Sequence, residues 1–97
     1  MNDLSWTKDL MESSDYRQRF FAEYWQTKIR YERLKNFCNR IEAARVTGTD
    51  APIHDCPEKL LRAQQKSMGE YLHLLEIRAI IENVDLEVTK LTLEELK

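Results

Sequence analysis

Two kinds of residue in this chain could do chemistry. The first is a run of aromatics interleaved with fixed cations, Tyr16-Arg17-Gln18-Arg19-Phe20, followed by Lys28 and Arg30. An aromatic ring can stack on a nucleobase, and Arg or Lys can pair with phosphate, Arg often through two parallel hydrogen bonds. A helix that starts at this point adds unpaired backbone N–H groups and a partial positive charge. These are the parts of a nucleotide pocket, although cations beside aromatics also occur on the solvated face of many amphipathic helices. The second is the adjacent set His54-Asp55-Cys56. A nucleophile and its base are normally brought together by a fold and not by adjacency, so this set reads as a loop. His73 falls on the solvated side of a helical segment. The glutamates are spaced with basic residues as surface helix charges. No phosphate-cradling glycine loop, nucleophile elbow or HExxH motif is present. The expectation is a binding protein, not an enzyme, with no cofactor and no metal.

The elements that must position these residues follow from periodicity. Residues 15–46 contain neither Gly nor Pro and carry Phe20, Tyr24, Thr27, Tyr31, Leu34, Cys38 and Ile41 at alternating spacings of four and three. That is a heptad seam on one face of a long helix. Phe21 and Trp25 add a second apolar line, which either widens the core or forms a subunit contact or ligand wall. Ser13-Ser14-Asp15 supplies the start, with Asp15 and Gln18 in capping-box spacing and either serine as an alternative cap. Gly48 and Pro52 break the helix.

Residues 47–56 form a connector, and a second helix is expected over 57–83 with Pro57 at its first position. Its seam reads Leu61, Gln64, Met68, Tyr71, Leu75, Arg78 and Glu82, flanked by Leu60, Leu72 and Ala79. Gly69 inside it suggests tolerance, or close approach of a backbone or flat ligand. Residues 1–14 form an N-terminal arm that covers a neighbouring subunit or folds back on its own hairpin. Residues 84–97 form a C-terminal segment, either a short strand with a helical turn or a tail.

The fold class is therefore all-α: an antiparallel hairpin of two long helices with short terminal segments, one domain of 97 residues. A lone hairpin of this size is only marginally stable, so oligomerisation is expected. The formal net charge of −2, from 15 basic and 17 acidic residues, argues against duplex DNA as a partner. Two cysteines, Cys38 and Cys56, make neither a disulfide framework nor a metal site. With no signal peptide and no long apolar run, the chain reads as cytoplasmic and not membrane-bound.

The runs DYRQRFFAEYWQTKIRYERL and LLRAQQKSMGEYLHLLEIRAIIENVDL, the latter after a Cys-Pro helix start, carry a resemblance over residues 15–86. They resemble a family of small phage and prophage proteins named after crAss-like phages. That family's first helix has the pattern D-Y-x-x-R-F-x-x-E-Y-x-x-x-K-x-R-x-E-x-L. More distantly, the hairpin is similar to the anti-CBASS and anti-Thoeris sponge proteins of phages. The resemblance implies a symmetric homo-oligomer, such as a hexamer, that binds cyclic di- or trinucleotides or cyclic ADP-ribose isomers at subunit interfaces. Such sponges hold an immune signal in the bacterial host without hydrolysing it. The resemblance further implies that Tyr16 stacks on a base, that Lys28 and Arg30 sit at the phosphate-binding place, and that Arg19 is a further phosphate candidate. The spacing from tyrosine to lysine is shorter here than in the dinucleotide sponges. Arg78 is expected to pair with Glu23 across the hairpin. The competing class is a structural or adaptor hairpin that binds another protein.

Overall fold

The computed structural model describes residues 7–12 and 14–87, and every regular element among them is helical. In chain order these are α1 (Lys8–Met11), α2 (Tyr16–Thr47) and α3 (Glu58–Glu82). Among the described residues no helix is long and apolar enough to cross a membrane.

The ends of α2 are set by local chemistry. Asp15 is extended (φ −80°, ψ 117°), and its carboxylate accepts the Arg17 backbone N–H at 2.9 Å, satisfying one of the orphan donors of the first turn. At the other end Gly48 takes the left-handed conformation (φ 71°) and its amide returns to the Ala44 carbonyl. Pro57 caps α3 in an extended conformation (φ −60°, ψ 145°), one position ahead of the first helical residue. Asn83 closes α3 at φ 58°, a conformation Asn tolerates better than most residues. The Val84 amide then bonds to the Ala79 carbonyl at 2.9 Å and turns the chain back toward α2.

The two long helices pack against each other and run antiparallel. Tyr16 at the start of α2 reaches Glu82 at the end of α3, Tyr24 reaches Glu76, and Arg45 pairs with Glu58 at the connector end. The main core lies toward the open end of the hairpin, where Phe20 and Tyr24 of α2 meet Leu72, Leu75 and Ala79 of α3. Phe21 and Ala22 form a second buried cluster, and Trp25 and Leu86 pack against both it and the main core. The Trp25 indole N–H donates to the Leu86 carbonyl at 2.8 Å, pinning the segment after α3 to α2.

The buried stripe of α3 differs from the expected seam. Gln64, Tyr71 and Arg78 are exposed, and the side facing α2 carries Leu61, Gln65, Met68, Leu72, Leu75 and Ala79. Both phases pass through Leu61, Met68 and Leu75 at heptad intervals. The observed one fills the intervening places with Leu72 and Ala79, where the other would bury the Arg78 charge at a desolvation cost. Gly69 has a packing explanation within the hairpin: a Cβ there would lie 3.2 Å from Tyr31 Cε1, so the Tyr31 ring crosses α3 at this point. The described part of the N-terminal arm folds back on its own hairpin. There α1 packs on α2, Thr7 is fully buried, and Gln26 Nε2 donates to its hydroxyl at 3.3 Å. Residues 1–6 of the arm, the alternative cap Ser13 and the segment after Glu87 lie outside the described residues.

The α3 phase predicts a mutational contrast. Leu75, 1% exposed, should lose about 2–5 kcal/mol on truncation to Ala, enough to unfold much of a small hairpin. Ile80→Ala, at a position 79% exposed, should stay within about 0.5 kcal/mol of the parent chain. Urea titrations followed by circular dichroism would measure both, and equal losses would reject this phase.

Candidate functional site

The helix ends at the open end of the hairpin bring polar groups together above the aromatic core. Tyr16, at the first position of α2, is 47% exposed, and its ring meets Phe20 edge-on at 6.1 Å between centroids. Its hydroxyl donates to Glu82 Oε1 at 2.6 Å and accepts from Arg78 Nη2 at 2.8 Å. Arg78 Nε donates to Glu82 Oε2 at 3.1 Å, closing a three-membered cluster. The Arg78 guanidinium lies 5.1 Å from the centroid of the Phe20 ring, within cation–π range. Arg17 Nη1 donates to the Asn83 carbonyl at 2.6 Å, placing a second guanidinium at the same end.

This arrangement corrects the expected Arg78–Glu23 pair. Arg78 is held by Glu82 and Tyr16, and Glu23 accepts instead from the Tyr71 hydroxyl at 2.5 Å. The cluster perturbs its own titration. The hydrogen bond to the Glu82 carboxylate holds the Tyr16 phenol above its ordinary value. The same bond, with help from Arg78, holds Glu82 below the usual carboxylate range.

The cations singled out in the sequence are distributed around α2. Arg19 lies one turn from Tyr16 and is half-buried. Lys28 stands about 18 Å further along the axis and a third of a turn away, by the rise and twist of an α-helix. Its ammonium pairs with Glu32 at 3.4 Å and lies 6.0 Å from the Tyr31 ring centroid. Arg30 is exposed, about 21 Å from Tyr16 along the same axis. One copy of the hairpin thus brings Tyr16 to Arg78 and Glu82, and leaves Lys28 and Arg30 beyond the reach of a small ligand stacked on Tyr16. Sequence reasoning missed Arg78 and Glu82 as members of this end. Their i, i+4 spacing was a visible signal, hidden by placing both on the buried seam.

A second concavity, about 780 Å³, runs along the middle of the hairpin beside Tyr31 and Gly69, with Arg62, Lys66 and His73 along it. Arg62 is already committed there, donating to Glu42 at 2.7 Å, Asn39 at 3.3 Å and Gln65 at 2.8 Å. Its guanidinium braces the two helices. At the connector, His54 Nδ1 hydrogen-bonds with the Cys56 carbonyl at 2.6 Å, and the His54 ring meets Phe37 edge-on. Cys56 is exposed and Cys38 is buried in the helix seam.

With this geometry in place, comparison with known proteins places the chain. The Sequestin family model matches residues 14–81, well over half of the sequence. The chain belongs to the Sequestin family. The matched span takes in Tyr16, both arginines of the first turn, the whole of α2 and α3 as far as Arg78 and Ile81. Glu82 falls just beyond it. No curated protein and no solved structure matches the chain. For this Sequestin-family hairpin, a sequestering role is consistent with the family name.

The tyrosines also predict a pH response. Burial, reinforced by the hydrogen bond to Glu76, raises the Tyr24 phenol well above its ordinary value. A raised phenol favours the folded state fully below the unfolded value of about 10, and this contribution is lost as pH rises past it. The urea midpoint of the wild type should therefore fall above about pH 10, and Tyr24→Phe should show a shallower alkaline loss. Identical alkaline slopes would reject the assignment.

Proposed function

We propose that this Sequestin-family chain is a phage anti-defence sponge. It binds a cyclic nucleotide immune signal in the cytoplasm of the bacterial host and holds it without cleaving it. The ligand is a cyclic di- or trinucleotide or a cyclic ADP-ribose isomer. The observation that carries the reading is the family match over residues 14–81, whose name denotes sequestering and whose span includes the aromatic–cationic start of α2. The exposed Tyr16 ring offers a stacking face, and Arg19, Lys28 and Arg30 supply cations for phosphate.

Helix geometry adds a requirement. Tyr16 and Lys28 stand about 18 Å apart on one copy, so a compact ligand touching both must lie between two copies. The site is then completed by a second subunit in a homo-oligomer, a hexamer being one closed arrangement. Closing the ligand off from water would strengthen each charge-assisted contact.

A second reading is carried by a different observation. Leu74, Ile77, Ile80 and Ile81 project from α3 at exposures of 57%, 43%, 79% and 74%. Aliphatic residues clustered on one helix suit a non-enzymatic adaptor that docks on another protein.

Native mass spectrometry after incubation with cyclic di- and trinucleotides and cyclic ADP-ribose isomers, followed by heat release, separates the two. Intact ligand recovered from a defined oligomer supports the sponge. A well-folded monomer that retains no ligand supports the adaptor. Tyr16→Ala should weaken binding about tenfold to a hundredfold through lost stacking, and Lys28→Ala should do likewise through lost phosphate pairing. Both should leave oligomer size unchanged, and normal binding by both would overturn the site.

A further inference from the structure

The cluster at the open end of the hairpin has the form of an anion site that already holds an anion. The Glu82 carboxylate sits where a ligand oxygen would sit. One oxygen takes the Tyr16 hydroxyl at 2.6 Å and the other takes Arg78 Nε at 3.1 Å. A phosphoryl group presents oxygens of the same charge sign that seek the same donors, a phenol O–H and a guanidinium fork. The donors are also held in place independently of Glu82. The Arg78 guanidinium lies by the Phe20 ring, which is 4% exposed, and the Tyr16 ring meets the same Phe20. Arg17 stands at the same end on the Asn83 carbonyl, close enough to lower the Glu82 pKa.

Glu82 itself is easily released. Its ion pair with Arg78 is at the surface, the two side chains being 31% and 51% exposed, and exposed pairs of this kind contribute little to stability. With Glu82 swung into water, the Tyr16 O–H and the Arg78 Nε–H lose their acceptor, while Arg78 Nη2 still donates to the Tyr16 hydroxyl. Two arginines then face one end whose resident carboxylate has left.

We propose that Tyr16 and Arg78 form a phosphate-binding site, that Glu82 occupies it as an internal stand-in for the ligand phosphate, and that binding proceeds by exchange of one anion for the other. This deepens the sponge reading, on which it rests for the identity of the ligand. It assigns Arg78 the contact with phosphate and gives Glu82 the role of setting the affinity threshold. A weakly anionic or neutral molecule does not displace the carboxylate, whereas a multiply charged nucleotide phosphate does. Selectivity for charge is thereby built into the apo hairpin.

The test uses the full chain and inorganic pyrophosphate as the probe, read by calorimetry and by the NMR shift of the Tyr16 ring. Glu82→Gln keeps the side-chain shape and removes the competing charge. It should bind pyrophosphate about tenfold more tightly than the wild type, with a larger shift at Tyr16. Adding Arg78→Gln to Glu82→Gln should abolish the gain. Glu82→Ala guards against a residual contact from the glutamine amide and should behave like Glu82→Gln. Thermal melts of all variants confirm folding. The inference is overturned if both Glu82 variants bind no more tightly than the wild type, or if the gain survives Arg78→Gln. A cyclic nucleotide arm keeps the two proposals apart. Wild-type binding of a cyclic nucleotide with no gain in Glu82→Gln would sink the exchange mechanism and leave sequestration standing. Tight pyrophosphate binding by Glu82→Gln, with no cyclic nucleotide retained by any form, would establish the anion site and remove the sponge.

Discussion

The fold depends on the wedge that Phe20 and Tyr24 make against Leu72, Leu75 and Ala79. Two antiparallel helices share a single seam, and large rings near one end of it anchor them where the hairpin is open and has no connector to hold it. Tyr24 does this with an amphipathic ring, its body buried and its hydroxyl donating to Glu76 at 2.7 Å. Polar groups therefore collect above this core, and the same rings that close the hairpin support the exposed cluster of Tyr16, Arg78 and Glu82. At the connector end the hairpin closes differently, through Arg45 with Glu58 and the braced Arg62, where smaller residues such as Ala44 lie in the seam.

The chain's economy with glycine and proline made much of this fold legible. A run without either, bounded by Asp15 and Gly48, reads as one helix because nothing in it can stop helix propagation, and the structure caps it at those two residues. The α2 seam was legible for a related reason: Phe20, Tyr24, Cys38 and Ile41 are apolar in one phase and are all buried in the structure. On α3 the pattern was ambiguous. Leu60, Leu61, Leu72, Leu74, Leu75, Ile77, Ile80 and Ile81 supply apolar residues on almost every side, so a heptad could be threaded through Arg78 as readily as through Ala79. The cost of burying a charge decides between them, and that cost has to be weighed against a specific partner surface before it appears. Gly69 read as tolerance or as close approach of a backbone or flat ligand, and that a side chain, the Tyr31 ring, crosses there is a three-dimensional fact.

The candidate site was legible by residue type and much less so by geometry. Tyr16 and its neighbouring cations were visible because aromatics and arginines share the first turn of α2. What they face was not visible, since Glu82 lies 66 positions away in the chain. Grouping Lys28 with Tyr16 as parts of one pocket also left out the helix geometry, which carries Lys28 a third of a turn around and about 18 Å along. Cations that do not converge on one copy would meet a shared ligand only between copies.

The exposed aliphatic residues of α3 and the polar cluster at the open end belong to one physical situation. A two-helix hairpin buries one stripe of each helix and must leave the other faces to water or to partners. On α2 that far side is partly relieved by α1, with Thr7 and Ala22 fully buried. On α3, Leu74, Ile77, Ile80 and Ile81 remain exposed, next to Arg78 and Glu82. Contact between copies along that face would bring a second chain close to the Tyr16 end, lowering the local dielectric around its charges. Low dielectric strengthens a guanidinium–phosphate pair. The apolar face and the charged cluster would then act on the same ligand, the first by excluding water and the second by supplying donors.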